Sequence, residues 1–133
     1  MGVQRKSRQL VLQLLFQSDL NGESLRDPDF FRTEKPKVSE RAQMLFQSIL
    51  DKRTELDRHI ESASQNWKLS RMGAVDRNIL RLATYELLYC PDIPGEVILD
   101  EAIEIAKRFG SEDSSAFVNG ILDKLLNLRN KDP

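Results

Sequence analysis

The first residues with a chemical role to consider lie at the start of the chain. Arg5, Lys6 and Arg8 precede Phe16 in an opening segment that has no acidic side chain. On a helix of 3.6 residues per turn, Arg5, Arg8 and Phe16 fall on one side, opposite Leu14. Cationic groups neutralise phosphates, and an aromatic ring stacks on an unpaired base. This strip predicts a contact with single-stranded RNA, although a second helix could equally cover Phe16 and leave the cations solvated.

A second pair of candidate side chains lies near the end of the chain. Asp113 and Phe117 are four residues apart, so a helix places them on the same side. The carboxylate could accept a hydrogen bond from a base amino group while the ring packs on a base. Helix capping by Asp113 and core packing by Phe117 are the alternative, and residue type alone favours it.

Side chains for catalysis or metal binding are scarce. The single histidine, His59, has no second histidine and no nucleophile at a useful spacing, and a zinc site needs three or four ligands. Asp100, Glu101 and Glu104 share one helix, where an exposed acidic face explains them better than paired catalytic carboxylates. No glycine-rich phosphate loop is present. We predict that the chain is not an enzyme and holds no cofactor or metal.

Length and composition restrict the class of protein further. The 133 residues carry 20 basic and 21 acidic side chains, which fits a single domain over residues 1–133 and excludes a uniformly basic protein. No apolar run is long enough to cross a membrane or to act as a secretory signal. Cys90 is the only cysteine, as is usual in a reducing compartment, so we expect a cytoplasmic protein.

The elements that must position these residues are predicted to be helices. Leucine occurs 19 times and no run alternates as a strand would, so the fold class is all-α. Periodic apolar spacing and Pro, Gly and Ser at the ends predict helices at about residues 3–20, 39–64, 72–90, 95–109 and from 113 or 114 onward. The break at 22–38 could hold a short helix after Asp27-Pro28. Trp67, Tyr85 and Tyr89 are predicted to pack between helices, and Gly120 to mark a close helix contact.

Several longer runs of residues carry a resemblance to a known family. They are VDRNILRLATYEL at 75–87, VILDEAIEIAK at 97–107 and FVNGILD at 117–123, with Ile93-Pro94, Asn66-Trp67 and the segment from Arg8 to Phe16. The chain resembles the NusB family of bacterial transcription antitermination factors over nearly its whole length, least so in residues 22–38.

The resemblance implies both a fold and a function. The fold is a single compact domain of about six to seven helices arranged as two small helical bundles. The family forms a heterodimer with NusE, a ribosomal small-subunit protein, and the pair binds boxA RNA. This helps to load the antitermination complex on RNA polymerase, chiefly at ribosomal RNA operons, and involves no catalysis.

Family positions can be carried over to individual residues of this chain. The positions that match RNA contacts are Arg5, Lys6, Arg8, Phe16, Asp113 and Phe117. Asp76 and Arg77 match the surface that meets NusE. Phe16 stands where many relatives have tyrosine, and Ser7 interrupts a thin basic cluster, so we expect weak RNA affinity without NusE.

Two other functions and one question of assembly remain open from the sequence. The same fold could serve as a protein-interaction module that does not bind RNA, because the basic cluster is thin. Similar domains also precede RNA methyltransferase domains, so a helper role for such an enzyme is the third reading. The free protein could also form a homodimer.

Overall fold

Every regular element in the described residues is a helix, as the sequence predicts. The computed structural model describes residues 2–21, 36–65 and 67–131. These contain six α-helices and one short 3-10 helix, so the all-α prediction is confirmed. The chain divides into two compact units, residues 1–51 and 52–133, in agreement with two small bundles. No helix of the described part is both long and apolar enough to span a membrane.

The described residues of the first unit form a pair of helices. Helix α1 (Gly2–Asn21) packs against α2 (Pro36–Asp51), and both are amphipathic. Their buried apolar side chains recur three and four residues apart: Leu10, Val11, Leu14 and Leu15 on α1, and Ala42, Phe46 and Ile49 on α2.

The second unit has four helices and the 3-10 turn. They are α3 (Arg53–Ala63), the 3-10 helix (Leu69–Arg71), α4 (Ala74–Tyr89), α5 (Gly95–Phe109) and α6 (Ser114–Lys131). Helix α4 packs against α3, α5 and α6, and every residue from 78 to 84 is buried. The prediction that this helix is central is therefore confirmed. A helix that is apolar on most sides must be covered on most sides.

A partly buried ion pair joins two helices of this unit. Arg81 of α4 donates from Nε to Asp57 Oδ1 at 2.8 Å and from a terminal nitrogen to Oδ2 at 3.0 Å. Its other terminal nitrogen donates to Asn78 Oδ1 at 3.2 Å. Both oxygens of the α3 carboxylate are used, so the buried guanidinium is compensated and the orientation of α3 on α4 is fixed.

The prediction of one long helix over residues 39–64 is wrong at its start and in its middle. Helix α2 begins at Pro36, because a proline at the first helical position has no amide hydrogen to leave unsatisfied. The helix is then interrupted at Lys52, whose φ of −104° and ψ of 8° lie in the bridge region. No apolar side chain stands between Leu50 and Leu56, so the buried stripe that would hold one continuous helix is missing there.

Two further expectations have different outcomes. The short helix predicted after Asp27-Pro28 lies outside the described residues. The close contact predicted at Gly120 is wrong for the described residues, because none of them from another element places a heavy atom within 4 Å of a Cβ added there. Gly120 instead leaves a part of the α6 surface without a side chain.

Candidate nucleic-acid interface

The start of α1 presents two of the three predicted cations. Arg5 and Lys6 are exposed, and no acidic side chain stands in the first turn of this helix. Cations near a helix N-terminus face the positive end of the helix dipole, so a bound phosphate would relieve that repulsion. The geometry of this end is suited to an anion.

The expectation that Arg8 belongs to the same exposed strip is wrong. Arg8 is only 4% exposed, and its side chain is engaged in an interaction within the protein. It follows the spacing of Val11 and Leu15, which are three and seven residues further along and are fully buried. The buried arc of α1 is therefore wider than the helical angles alone predict, and Arg8 supports the helix from that arc.

Phe16 lies between the two alternatives that the sequence left open. Its side chain is half-buried, as is that of Leu12 one turn earlier. A half-buried ring is fixed in place by its covered side and still offers its other side to a base. The aromatic part of the strip remains accessible, although less so than on an isolated helix.

The turn before α6 positions the second pair of candidates. The Ser114 hydroxyl accepts a hydrogen bond from the Ser111 amide at 2.8 Å, and this serine is 1% exposed. A Cβ at Gly110 would collide with the Ser114 side chain, so the turn needs glycine there. The Ser114 hydroxyl thus holds the turn that precedes α6, and Asp113 makes no side-chain hydrogen bond among the described residues.

Asp113 and Phe117 are therefore placed as the RNA-contact hypothesis requires. Asp113 is exposed, and its carboxylate has no hydrogen-bond partner within the described part of the chain. Phe117 is half-buried one turn later, where its amide donates to the Asp113 carbonyl at 3.1 Å. Gly120, three residues further, adds no side chain beside the ring. An acceptor, a ring and an open place thus lie together at the start of α6.

Asp76 and Arg77 lie in the first turn of α4, and both are half-buried. One guanidinium nitrogen of Arg77 lies 3.1 Å from the Leu69 carbonyl and 3.3 Å from the Met72 carbonyl. This arginine therefore anchors the 3-10 helix. If the surface around it binds a partner, Arg77 supports that surface by holding the 3-10 helix in place.

The turn between α3 and α4 exposes an aromatic side chain that the sequence predicted to be packed. Trp67 is 53% exposed, so the prediction that it packs between helices is wrong. It precedes Lys68 and Arg71, which are also exposed. The signal available in the sequence was its place in a turn with basic neighbours, between one helix end and the next helix start.

The candidates fall into two groups that belong to different units. Arg5, Lys6 and Phe16 lie on α1 in the first unit, and Asp113 and Phe117 lie together at the start of α6 in the second. The described residues contain no group of three or more His, Cys, Asp or Glu side chains that could hold a metal.

Comparisons with known proteins agree with this architecture. A family model described as the NusB family matches residues 5–127. A protein named "Transcription antitermination protein NusB" from Desulfatibacillum aliphaticivorans is 45% identical over 129 residues, covering 94% of this chain and 90% of the relative. The solved structure of T. maritima NusB is 42% identical with a TM-score of 0.84, covering 92% of this chain and 89% of that one.

A further solved structure has the same fold at lower identity. It is described as antitermination factors NusB and NusE in complex with dsRNA, and its matching chain is 24% identical with a TM-score of 0.82. The match covers 96% of this chain and 98% of that chain. With a family model over most of the sequence and a relative at 45% identity, the chain belongs to the NusB family of transcription antitermination proteins.

Proposed function

We propose that this chain binds boxA-type single-stranded RNA together with NusE and helps to load the antitermination complex on RNA polymerase, chiefly at ribosomal RNA operons. As a member of its family it is a non-enzymatic transcription antitermination factor. It would act in the cytoplasm, where a bacterial transcript emerges. Its mechanism is positioning: it holds one RNA segment and one protein so that both reach the polymerase together.

Family membership is the observation that carries the proposal, and the placement of the candidate residues supports it. A solved relative of the same fold is described as a complex of NusB, NusE and dsRNA. In this chain the proposed RNA contacts are Arg5, Lys6, Phe16, Asp113 and Phe117. Arg8 completes the set as a buried residue that supports α1, the helix that carries Arg5, Lys6 and Phe16.

The chemistry of each proposed contact follows from its exposure. Exposed Arg5 and Lys6 would neutralise phosphates. Phe16 and Phe117 would each offer the open side of a fixed ring to a base. The Asp113 carboxylate, which no described group occupies, would accept a hydrogen bond from a base amino group and so favour particular bases.

NusE would meet the first turn of α4, where Asp76 and Arg77 lie. Because two exposed cations give only a modest electrostatic affinity, NusE should strengthen RNA binding by adding contacts of its own. A homodimer of the free chain is compatible with this proposal, and NusE or RNA would then compete with the second copy.

Fluorescence anisotropy of labelled boxA RNA tests the proposal. A scrambled RNA of the same length is the control, and both are titrated with the chain alone and with NusE at two salt concentrations. We expect selective binding that is tighter with NusE. Equal affinity for both RNAs in all conditions, with NusE still bound, would contradict it.

The burial of Arg8 favours one competing function, a protein-interaction module without RNA binding. Such a module would need no exposed cations on α1. Charge reversal by Arg5→Glu and Lys6→Glu separates the two functions, because it should weaken RNA binding in the presence of NusE and leave NusE binding unchanged. RNA binding that survives the reversal unaltered would favour the module.

A further inference from the structure

The turn between α3 and α4 holds Trp67 in a fixed place. The Ser64 hydroxyl lies 2.9 Å from the Trp67 carbonyl and 3.0 Å from the Glu61 carbonyl, and the Trp67 amide donates to the Ser64 carbonyl at 3.2 Å. Gln65 has a φ of 57°, a left-handed conformation that costs a residue with a Cβ some free energy. The surrounding contacts therefore determine this turn.

The other end of the turn is anchored from the core. Leu69 and Met72 are each 6% exposed, so they fasten the 3-10 helix to the unit. Their carbonyls both lie within hydrogen-bond distance of the Arg77 guanidinium. Trp67 is thus presented by a segment that is hydrogen-bonded at one end and buried at the other.

The exposed side of this segment is aromatic and cationic. Trp67 is 53% exposed, and Lys68, Ser70 and Arg71 are exposed as well. No acidic residue occurs between Glu61 and Asp76. Neither the Lys68 nor the Arg71 side chain has an ion-pair or hydrogen-bond partner within the described residues. We call the exposed side chains of Trp67, Lys68 and Arg71 the Trp67 patch.

An exposed aromatic ring on an anchored backbone, followed by two exposed cations, fits a single-stranded nucleic acid. Every base has a face that stacks on an aromatic side chain, and the adjoining phosphates attract the cations. Tryptophan and arginine are also frequent in protein interfaces. Two exposed cations with no acidic residue from 62 to 75 match a polyanion, which favours RNA over a protein.

We propose that the Trp67 patch is a further RNA contact, separate from the residues of α1 and α6. Trp67 stacks on a base, and Lys68 and Arg71 neutralise the phosphates beside it. The proposal rests on the proposed function for the class of ligand, single-stranded RNA. Its consequence is that RNA extending beyond boxA binds more tightly than boxA alone, with little dependence on the sequence of the extension.

Trp67 is the only tryptophan of the chain, so its own emission reports on the patch. In the experiment, two RNAs are added in separate titrations to the complex that the chain forms with NusE. One is boxA RNA, and the other is boxA RNA with a single-stranded extension on each side. Anisotropy of the labelled RNA reports total binding in the same samples. We expect the extended RNA to quench Trp67 emission and to protect it from acrylamide.

Variants of the patch give the size of the effect. Trp67→Ala should weaken binding of the extended RNA on the order of tenfold, with Trp67→Phe in between, because one stack is lost or reduced. Lys68→Gln with Arg71→Gln should make the salt slope shallower by about 1.4, since each phosphate contact on a single strand adds about 0.7. Arg53→Gln with Arg58→Gln removes two exposed α3 charges of the same type and is the matched control.

The outcomes separate this proposal from the proposed function. Normal RNA binding with unchanged Trp67 emission and unaffected Trp67 variants would overturn the patch and leave the function standing. Quenching of Trp67 by NusE alone, with no further effect of RNA, would assign the patch to a protein and also overturn it. If the Arg53 and Arg58 control variant lost as much RNA affinity, the effect would come from the total positive charge and the proposed contact would be overturned. If no RNA bound at all, both proposals would fall.

Discussion

The start of α1 and the Trp67 patch both combine cations with an aromatic ring, yet they differ in what the protein covers. On α1, Arg8 is buried and Phe16 is half-buried, so of these four side chains only Arg5 and Lys6 are exposed. In the Trp67 patch, the ring and both cations are exposed. The sequence predicted the reverse order of exposure for the two regions.

The difference shows that residue type and helical angle do not determine exposure. A helix face is covered or open according to what packs on it, and that depends on contacts distant in the sequence. A short turn, by contrast, exposes whatever its buried anchors do not hold. In the segment from Lys68 to Met72, the side chains of Leu69 and Met72 are buried and that of Arg71 is exposed to solvent.

The largest expected effect separates Arg8 from Arg5. Arg8→Ala should lower the free energy of unfolding by about 2 to 4 kcal/mol, because it removes a buried side chain and leaves its partner unsatisfied. Arg5→Ala should change it by less than about 0.5 kcal/mol, as exposed substitutions usually do. Urea denaturation followed by circular dichroism measures both. Equal effects would remove the contrast between the two arginines.

A smaller effect compares the two rings. Phe16→Ala should lower the free energy of unfolding by about 1 to 2 kcal/mol, because half of its ring is packed against the protein. Trp67→Ala should lower it by less than about 1 kcal/mol, since its ring is more than half exposed. Thermal unfolding of the two variants beside the parent chain tests the order. A larger loss for Trp67 would mean that its ring is structural.

The anchoring of the Trp67 turn gives a third, still smaller effect. Arg77→Ala should lower the free energy of unfolding by about 1 kcal/mol, because two carbonyls lose a donor at a half-buried site. The same change should raise the rate at which acrylamide quenches Trp67, because the turn loosens. Unchanged quenching would show that the turn does not depend on this arginine.

The smallest effect is a pH dependence at Tyr89, in the second unit. The Tyr89 hydroxyl donates to Glu55 at 2.5 Å, and this hydrogen bond raises the pKa of Tyr89 above its ordinary value of 10.0. The bond contributes stability below pH 10, where Tyr89 is protonated in both states, and the contribution is lost as the pH rises through the raised pKa. Ultraviolet titration should show one tyrosine ionising late, and Tyr89→Phe should abolish that step. Two ordinary titrations in the parent chain would contradict the hydrogen bond.

The elements that the sequence predicted well are those with local end signals. Helix α5 has the predicted bounds because Pro94 stops the preceding turn and Gly110 ends the helix. The interruption at Lys52 has no proline or glycine to mark it. Only the gap in the apolar stripe after Leu50 indicated it. Ile49 and Leu56 are seven residues apart, close to two helical turns, and this spacing concealed the gap.

The candidate site was predictable in kind and less so in detail. Asp113 and Phe117 stand where the helix spacing places them, because both depend on a local turn. The hydrogen bond from the Ser111 amide to the Ser114 hydroxyl could not be predicted, since both serines were equally plausible as solvated residues. The burial of Arg8 and the exposure of Trp67 depend on which elements pack against them. The periodicity of apolar residues in the sequence does not show this. The prediction of one domain over residues 1–133 stays a prediction.

The most direct test of the central claim is transcription through a terminator downstream of boxA. The reaction contains RNA polymerase, NusE and the other antitermination factors, with this chain added or omitted, on templates with intact or scrambled boxA. We expect the chain to increase read-through on the intact template only, and Arg5→Glu with Lys6→Glu to remove much of that increase. Equal read-through with and without the chain, or an increase that ignores boxA, would contradict the account.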